Sequence, residues 1–353
     1  MTSAKASAVK ISVIIVNYNG GGFVQTAIDH LKTQLLAPYE VIVVDNASED
    51  GSVDALSLSG LANARIIRLD ENVGFARANN LAAKEAAGDW LALLNPDAFA
   101  EPEWLHELGE AVGRYPGVSM FASAQLDATD PGRIDGAGDC YFVLGIPWRG
   151  GFQRPSCEMP REGECFSPCG ASAFIRKSIF LDAGGFDESY FCYCEDVDLG
   201  FRLRLLGERC VFLPRAVVHH HGSAISGRYS DFTIRLGTRN RLTTYLVNMP
   251  PIALALTLPG HVLASVYLYL RAIGKSHAAA MRKGIIEGLT DLPRTWRRRR
   301  RVQALRRRSS LDVVRSMSWN PSLLHNRKAD VRSRKVPPQP ENIIPEDLRN
   351  HEA

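Results

Sequence analysis

Short apolar runs that stop on polar or acidic residues constrain this chain more than any other feature. Ile11 to Val16 is rich in β-branched residues and ends at Asn17-Tyr18-Asn19-Gly20. Glu40 to Val44 ends at Asp45, and Trp90 to Leu94 ends at Asn95-Pro96-Asp97. A fourth run, Ala64 to Leu69, leads into Glu71-Asn72-Val73-Gly74 and Arg77. Helical patterns separate them: Phe23 to Leu36, with Val24, Ile28, Leu31 and Leu35 on one face, and Ala76 to Ala87. Strands alternating with helices predict a parallel sheet covered on both faces. Ligands of such sheets bind beyond the carboxyl ends of the strands, where Asp45 and Asp97 stand. A carboxylate there loses hydration unless it gains a hydrogen-bond partner or a metal.

The first strand is followed by no glycine-rich phosphate loop, neither G-x-G-x-x-G nor G-x-x-x-x-G-K-[ST]. A metal is then the natural partner for any bound phosphate, and hard oxygen ligands suit Mg²⁺ or Mn²⁺. Further acids follow at Glu195, Asp196 and Asp198, in the first turn of a helix whose Val197, Phe201 and Leu205 recur every fourth residue. Such acids suit the helix dipole, and Asp198 can pair with Arg202. One of them can instead point out of the helix start as a general base. Two apolar stretches, Cys210 to Leu213 and Ala216 to Val218, read as separate short strands, the second ending in His219-His220-His221. The glycine-rich segment from Asp135 to Gly151, with Trp148, Arg149 and Phe152 in or beside it, reads as a long functional loop.

These segments together resemble family-2 glycosyltransferases of the GT-A fold, in particular the bacterial rhamnosyltransferase-like members. The resemblance runs from about Ile11 to Asn248. It rests on Ile11 to Gly20, Val43 to Ser52, Glu71 to Asn80, Leu94 to Ala98, and Gly185-Phe186-Asp187 with Glu195-Asp196-Val197-Asp198. It implies an inverting transfer from a nucleoside-diphosphate sugar, dTDP-L-rhamnose by subgroup. The acceptor it implies is a lipid-linked or cell-surface glycan. Asp45 corresponds to the acid that reads the nucleobase, with Asn17 and Tyr18 lining the base. Asn72, Gly74 and Arg77 correspond to the nucleotide-side loop. Asp97 corresponds to the metal acid of a D-x-D motif that is here Asn95-Pro96-Asp97. Asp196 corresponds to the catalytic base, and His220 or its neighbour His219 to a late metal ligand. Trp148, Glu195 and Asp198 are expected on the acceptor side. No Q-x-x-R-W motif occurs, so a single addition is expected rather than processive synthesis.

The remaining sequence reads as an appendage. Pro250 to Leu270 is apolar but carries Pro259-Gly260 at its middle, which predicts a split hairpin or interfacial segment rather than a clean span. Arg297 to Arg301 and Arg306 to Arg308 concentrate charge in a chain whose formal net charge is only +4. Beside an apolar segment they point to an anionic membrane surface. The expected organisation is a transferase domain over 1–248, a membrane-associated helical region over 249–317 and a loose tail over 318–353. The first ten residues lack the apolar core of a signal peptide, and the seven cysteines suit reduced thiols. Location at the cytoplasmic membrane face follows as the expectation. Two other classes compete. A sugar nucleotidyltransferase would need a glycine-rich loop with a basic residue after the first strand. A non-catalytic nucleotide-sugar or RNA binder would not need Asp45, Asp97 and Asp196 together, so a nucleic-acid partner is not expected.

Overall fold

The four expected strands form, and alternation along them sorts their side chains onto two faces. The computed structural model describes residues 9–222 and 230–333. Strands β1 (Ile11–Asn17), β2 (Glu40–Asp45), β3 (Ala64–Arg68) and β4 (Trp90–Leu93) lie in the parallel order β4-β1-β2-β3. Ile11, Val13, Ile15, Val41 and Val43 face one core, against α1 (Phe23–Lys32). Ile14, Val16, Ile42 and Val44 face the other, against Ala76, Ala78, Ala82 and Ala83 of α2 (Gly74–Glu85). Helix α1 stops at Lys32, earlier than expected, and Leu35 beyond it is exposed.

The sheet then changes direction. It continues through β5 (Ala98–Ala100), β6 (Met120–Asp127), β7 (Ile134–Ala137), β10 (Gly163–Cys165), β11 (Ala173–Arg176) and β12 (Cys210–His220), which makes ten strands among the described residues. Between β5 and β6, helix α3 (Trp104–Arg114) covers the first core with Trp104, Leu105 and Leu108. Strand β11 runs antiparallel between β4 and β6, and β12 runs parallel to β6. The two strands expected around Pro214 are one, with a register shift between Leu213 and Val217 where the proline sits. The expected long loop is also absent. Its residues form β7 and a separate hairpin, β8 (Asp139–Phe142) with β9 (Ile146–Arg149).

Helix α4 (Lys177–Asp182) precedes the glycine pair, and α5 (Glu195–Leu206) carries the acids. Gly207 closes α5 at φ 105°, a left-handed cap that favours glycine. Helices α6 (Asp231–Asn248), α7 (Pro251–Leu270), α8 (Ala278–Thr290), α9 (Leu292–Ala304), α10 (Ser310–Arg315) and α11 (Pro321–His325) follow. A third core joins Tyr141, Phe166, Phe201, Tyr245, Met249 and Met317.

Three expectations for this region change. Helix α7 is continuous over 20 residues with Pro259 inside it, not a hairpin. The arginines expected at a membrane surface are partly structural, and of these only Arg297 to Arg301 lie within α9. Arg299 Nη1 donates to the Leu246 and Met249 carbonyls at 2.8 and 2.6 Å, and Arg298 pairs with Asp187. Residues 318–333 pack on the body, with Ser318 bridged to Phe142 and Arg332 to Glu164. Residues 334–353 of the expected tail lie outside the described residues.

Candidate active site

The parallel strands deliver their terminal residues to one edge. Asn17 lies opposite Asp45 in the β1–β2 register. Both are buried, and both tie down the next loop: Asp45 Oδ1 accepts from the Ser48 amide at 3.0 Å, and Asn17 Nδ2 donates to the Ser48 and Ser52 hydroxyls. Asn17 Oδ1 is buried with no hydrogen-bond partner among the described residues. Tyr18, the next residue, is 39% exposed and forms the open rim. Asn46 Nδ2 donates to Asn72 Oδ1 at 2.8 Å, and that same oxygen accepts from the Gly74 amide. Gly74 has φ +83°, and a Cβ there would fall 2.6 Å from the Phe191 ring, so only glycine fits. Arg77 points to Glu188 at 3.8 Å across an exposed surface.

At the end of β4 the chain turns through Asn95 and Asp97 into β5, whose pairing sets His220 opposite Ala98. The three histidines divide. His219 Nε2 meets Glu101 at 2.9 Å, and His221 packs on Phe23 and Phe99. His220 alone turns inward: its Nε2 is 3.3 Å from Asp97 Oδ1 and 3.4 Å from Asn95 Nδ2. Its Nδ1 donates to Asp135 Oδ2 at 2.7 Å. Burial disfavours its charge, but Asp135 and Asp97 outweigh burial and push the imidazole up to about 9. A divalent cation fits between Asp97 and the His220 ring if it replaces the proton that the ring carries there. Two neighbouring ligands of an octahedral ion at about 2.1 Å stand about 3 Å apart, near the spacing observed. The carboxylate on Nδ1 fixes the ring as metal-ligating histidines commonly are fixed.

Asp135 leads onward. It also accepts from Arg149 Nη1 at 2.5 Å, and Arg149 sits directly across the β8–β9 hairpin from Asp139. Asp139, Cys169 and Asp196 each bring one ligand-type atom to within 4.8 Å of the others. Burial, with Asp196 second, pushes Asp139 well above the ordinary carboxylate range. Burial pushes Cys169 to about 12, so it stays a thiol. Burial works against the Arg149 charge, yet the surrounding acids hold it above its usual range. Asp196 Oδ2 accepts from the Gly170 amide at 2.8 Å and Oδ1 from Val197. A polar chain thus runs from Asp97 through His220 and Asp135 to Arg149, and Asp139, across the hairpin from Arg149, lies in one cluster with Asp196.

The loop before α5 is strained. Phe191, Tyr193 and Cys194 all have φ between 65° and 69°, a region that costs non-glycine residues about 1–3 kcal/mol each. Asn240 of α6 offsets this, its Nδ2 donating to the carbonyls of Tyr190, Cys192 and Tyr193 at 3.1, 2.9 and 2.8 Å.

Two residues expected on the acceptor side are structural instead. Asp198 is fully buried and accepts from Arg202, Tyr190 and Asn248 at 2.8, 3.1 and 2.7 Å. Trp148 is buried in the third core with its indole N–H on the Lys328 carbonyl. Glu195, next to Asp196, is buried with Oε2 unpartnered among the described residues, and burial pushes it well above the carboxylate range. Asp135, Asp139, Cys169 and Asn240 were not singled out from the sequence. Asp135 and Asp139 stand among glycines, and Asn240 acts from a helix 45 residues beyond Glu195, so no local pattern marks them.

The family model described as glycosyl transferase family 2 matches residues 12–182. An N-acetylglucosaminyl-diphospho-decaprenol L-rhamnosyltransferase of Mycobacterium tuberculosis is 30% identical over 243 residues, covering 62% of this chain and 78% of that one. Among solved structures, residues 1–349 of S. aureus TarS superpose with a TM-score of 0.55 at 17% identity, covering 84% of this chain and 83% of that one. GalNAc-T7 with UDP, GalNAc and Mn²⁺ gives 0.53 at 15% identity, covering 69% of this chain and 51% of that one. The structural likenesses show the fold, a mixed α/β architecture of GT-A type.

Proposed function

The chain belongs to glycosyl transferase family 2, as a rhamnosyltransferase-like member, and from that premise we propose an inverting, single-addition transfer dependent on a divalent metal. Sugar moves from a nucleoside-diphosphate donor, in our reading an L-rhamnosyl one, to a hydroxyl of a lipid-linked glycan. The observation that carries this reading is the unbroken path Asp97–His220–Asp135–Arg149 beside Asp196. It runs from a metal-competent pair towards the acid at the helix start. Asn17, Tyr18 and Asp45 hold the base, and Asn72, Gly74 and Arg77 the nucleotide side. Asn95, Asp97 and His220 attend the diphosphate, with Asp97 and His220 as the residues that would hold the ion. When bound, that ion supplies Lewis-acid neutralisation of the leaving diphosphate. A nitrogen ligand beside a carboxylate favours Mn²⁺ over the harder Mg²⁺.

Asp196 accepts the proton of the acceptor hydroxyl as that oxygen bonds to the anomeric carbon. The bond from the anomeric carbon to the diphosphate breaks on the opposite face, and the nucleoside diphosphate leaves with the electron pair. The Gly170 amide holds the carboxylate in place, and Arg149 adds positive charge nearby. Burial pushes Glu195 well above the ordinary carboxylate range, which favours the protonated form that can donate to the acceptor.

We place the enzyme on the cytoplasmic face of a membrane, with residues 249–317 as its attachment. Support comes from the outward residues of α7, Ile252, Leu256, Val262, Leu263, Val266 and Leu270, all exposed and apolar. The helix is also long and apolar enough to cross a membrane. The metal reading is tested by sugar transfer after chelation. Activity should vanish and return with Mn²⁺ or Mg²⁺; full activity in chelator would refute it.

A further inference from the structure

Helix α7 is amphipathic in the inverted sense. Beyond its buried first turn, with Ala253 and Leu254 in the third core, its apolar residues face mostly outward, whereas Thr257, His261 and Ser265, each four residues apart, face the protein. Thr257 meets the Tyr245 hydroxyl at 2.9 Å. His261 stacks on Tyr245 with ring centroids 3.8 Å apart and gives its Nδ1 proton to the Leu144 carbonyl. Ser265 accepts from Arg241 Nη2 at 3.3 Å. The stripe thus leads from the apolar surface to one guanidinium on α6.

That guanidinium is under-used. Arg241 Nη1 sees no solvent and has no hydrogen-bond partner among the described residues, and the Tyr141 hydroxyl is likewise buried and unpartnered. Tyr141, Cys194 and His261 are titratable groups that interact with the Arg241 charge. Cys194 in turn stands two residues before Asp196 and has Asp196, Glu195 and Arg241 as charged neighbours. A buried cation with an open donor is costly unless an anion completes it. Among the described residues neither Glu195 nor Asp196 pairs with Arg241, and Asp196 is engaged by Gly170 and Val197. A guanidinium fork matches phosphate oxygens, and the unpartnered Tyr141 hydroxyl can add a second donor.

We propose that Arg241 binds the phosphate linking the acceptor glycan to its lipid, with the chain of that lipid leaving along the outer face of α7. The proposal rests on the glycosyltransferase reading, since it supplies that enzyme with an acceptor subsite between membrane and base. It makes the acceptor a phosphate-linked amphiphile rather than a neutral glycolipid.

The test is calorimetric binding of farnesyl diphosphate to the full chain, with the donor site saturated by a nucleoside diphosphate and Mn²⁺. Farnesol and inorganic diphosphate are the comparison ligands. A charge-assisted hydrogen bond of about 1.5–3 kcal/mol corresponds to roughly 10- to 100-fold in affinity. Farnesyl diphosphate should therefore bind at least about tenfold more tightly than farnesol, and Arg241→Gln should remove that margin. Arg241→Lys, which keeps charge but not the fork, should lose less. Inorganic diphosphate bound as tightly as farnesyl diphosphate would assign a free-phosphate site and overturn the lipid assignment. Equal affinity in wild type and Arg241→Gln, with nucleotide binding intact, would overturn the role of Arg241. Should Arg241→Gln lose nucleotide binding through misfolding, Ser265→Asp places a carboxylate beside the guanidinium. Undiminished farnesyl diphosphate affinity in that variant overturns the proposal. Binding is read without sugar transfer, so its failure is distinct from failure of the enzymatic reading.

Discussion

Asp135 fixes two neighbours with one carboxylate, accepting from His220 Nδ1 at 2.7 Å and from Arg149 Nη1 at 2.5 Å. Its substitution separates orientation from ligation, because it would not itself touch the ion. Asp135→Asn keeps the shape but removes the charge that holds the ring. Partners of metal-bound histidines are worth about 10- to 100-fold in metal affinity. Manganese titration of the nucleotide complex should weaken by that factor, with metal-free nucleoside binding unchanged. Identical manganese affinity in the variant would remove Asp135 from the account. At this scale the sequence was informative where a polar residue interrupts an apolar run, as at Asn17, Asp45 and Asp97. It was silent at Asp135 and Asp139, whose glycine neighbours hide the period-two pattern of β7 and β8. A carboxylate on a strand is marked as functional only by what faces it across the sheet.

Among the elements, α5 and α7 show what periodicity can and cannot supply. The α5 boundary at Gly207 was legible because glycine ends helices for a local reason, and the Asp198–Arg202 pair because it is one helical turn long. The continuity of α7 was not. A proline removes one backbone bond, and here the surrounding helical turns keep the segment in register through Pro259. Its buried face carries a titratable ring. Burial first, and then the like charge of Arg241, outweigh the Leu144 carbonyl and hold His261 down at about 4, below its ordinary 6.5. Between those values the unfolded chain binds the proton and the folded one does not. Stability from this group is therefore present above pH 6.5 and lost as pH falls towards 4. The melting temperature of wild type should fall more steeply than that of His261→Gln over this window. Parallel curves would show that the ring titrates as freely folded as unfolded.

For the molecule as a whole, the transferase fold and the C-terminal helices are not separable by cutting at Asn248. Arg299 and Gln303 of α9 hold the last carbonyls of α6, and α6 holds the strained loop before α5 through Asn240. The packing of 318–333 against β8 and β10 was equally hidden, because it depends on partners about 170 residues away in the chain. The membrane reading is accordingly tested on the full chain. Leu256, Leu263 and Leu270 are 77, 70 and 59% exposed, so Gln at all three should leave the fold intact. It should also move the protein from the membrane pellet to the soluble fraction. Arg297, Arg300, Arg301 and Arg307 remain exposed, each worth about 1 kcal/mol near an anionic surface, so salt should release part of the wild type. Wild type that stays soluble at low salt and ignores anionic vesicles would contradict attachment.

The central claim is that the acid at the start of α5 removes the acceptor proton while the strand ends hold the donor. Asp196→Asn keeps the contact with Gly170 as an acceptor and abolishes the base. Steady-state transfer by this variant, measured with the donor dissociation constant on the same preparation, tests the claim most directly. The account predicts turnover at least about 10²-fold below wild type, the usual scale for loss of a general base, with donor affinity nearly unchanged. Turnover near the wild-type rate would contradict it.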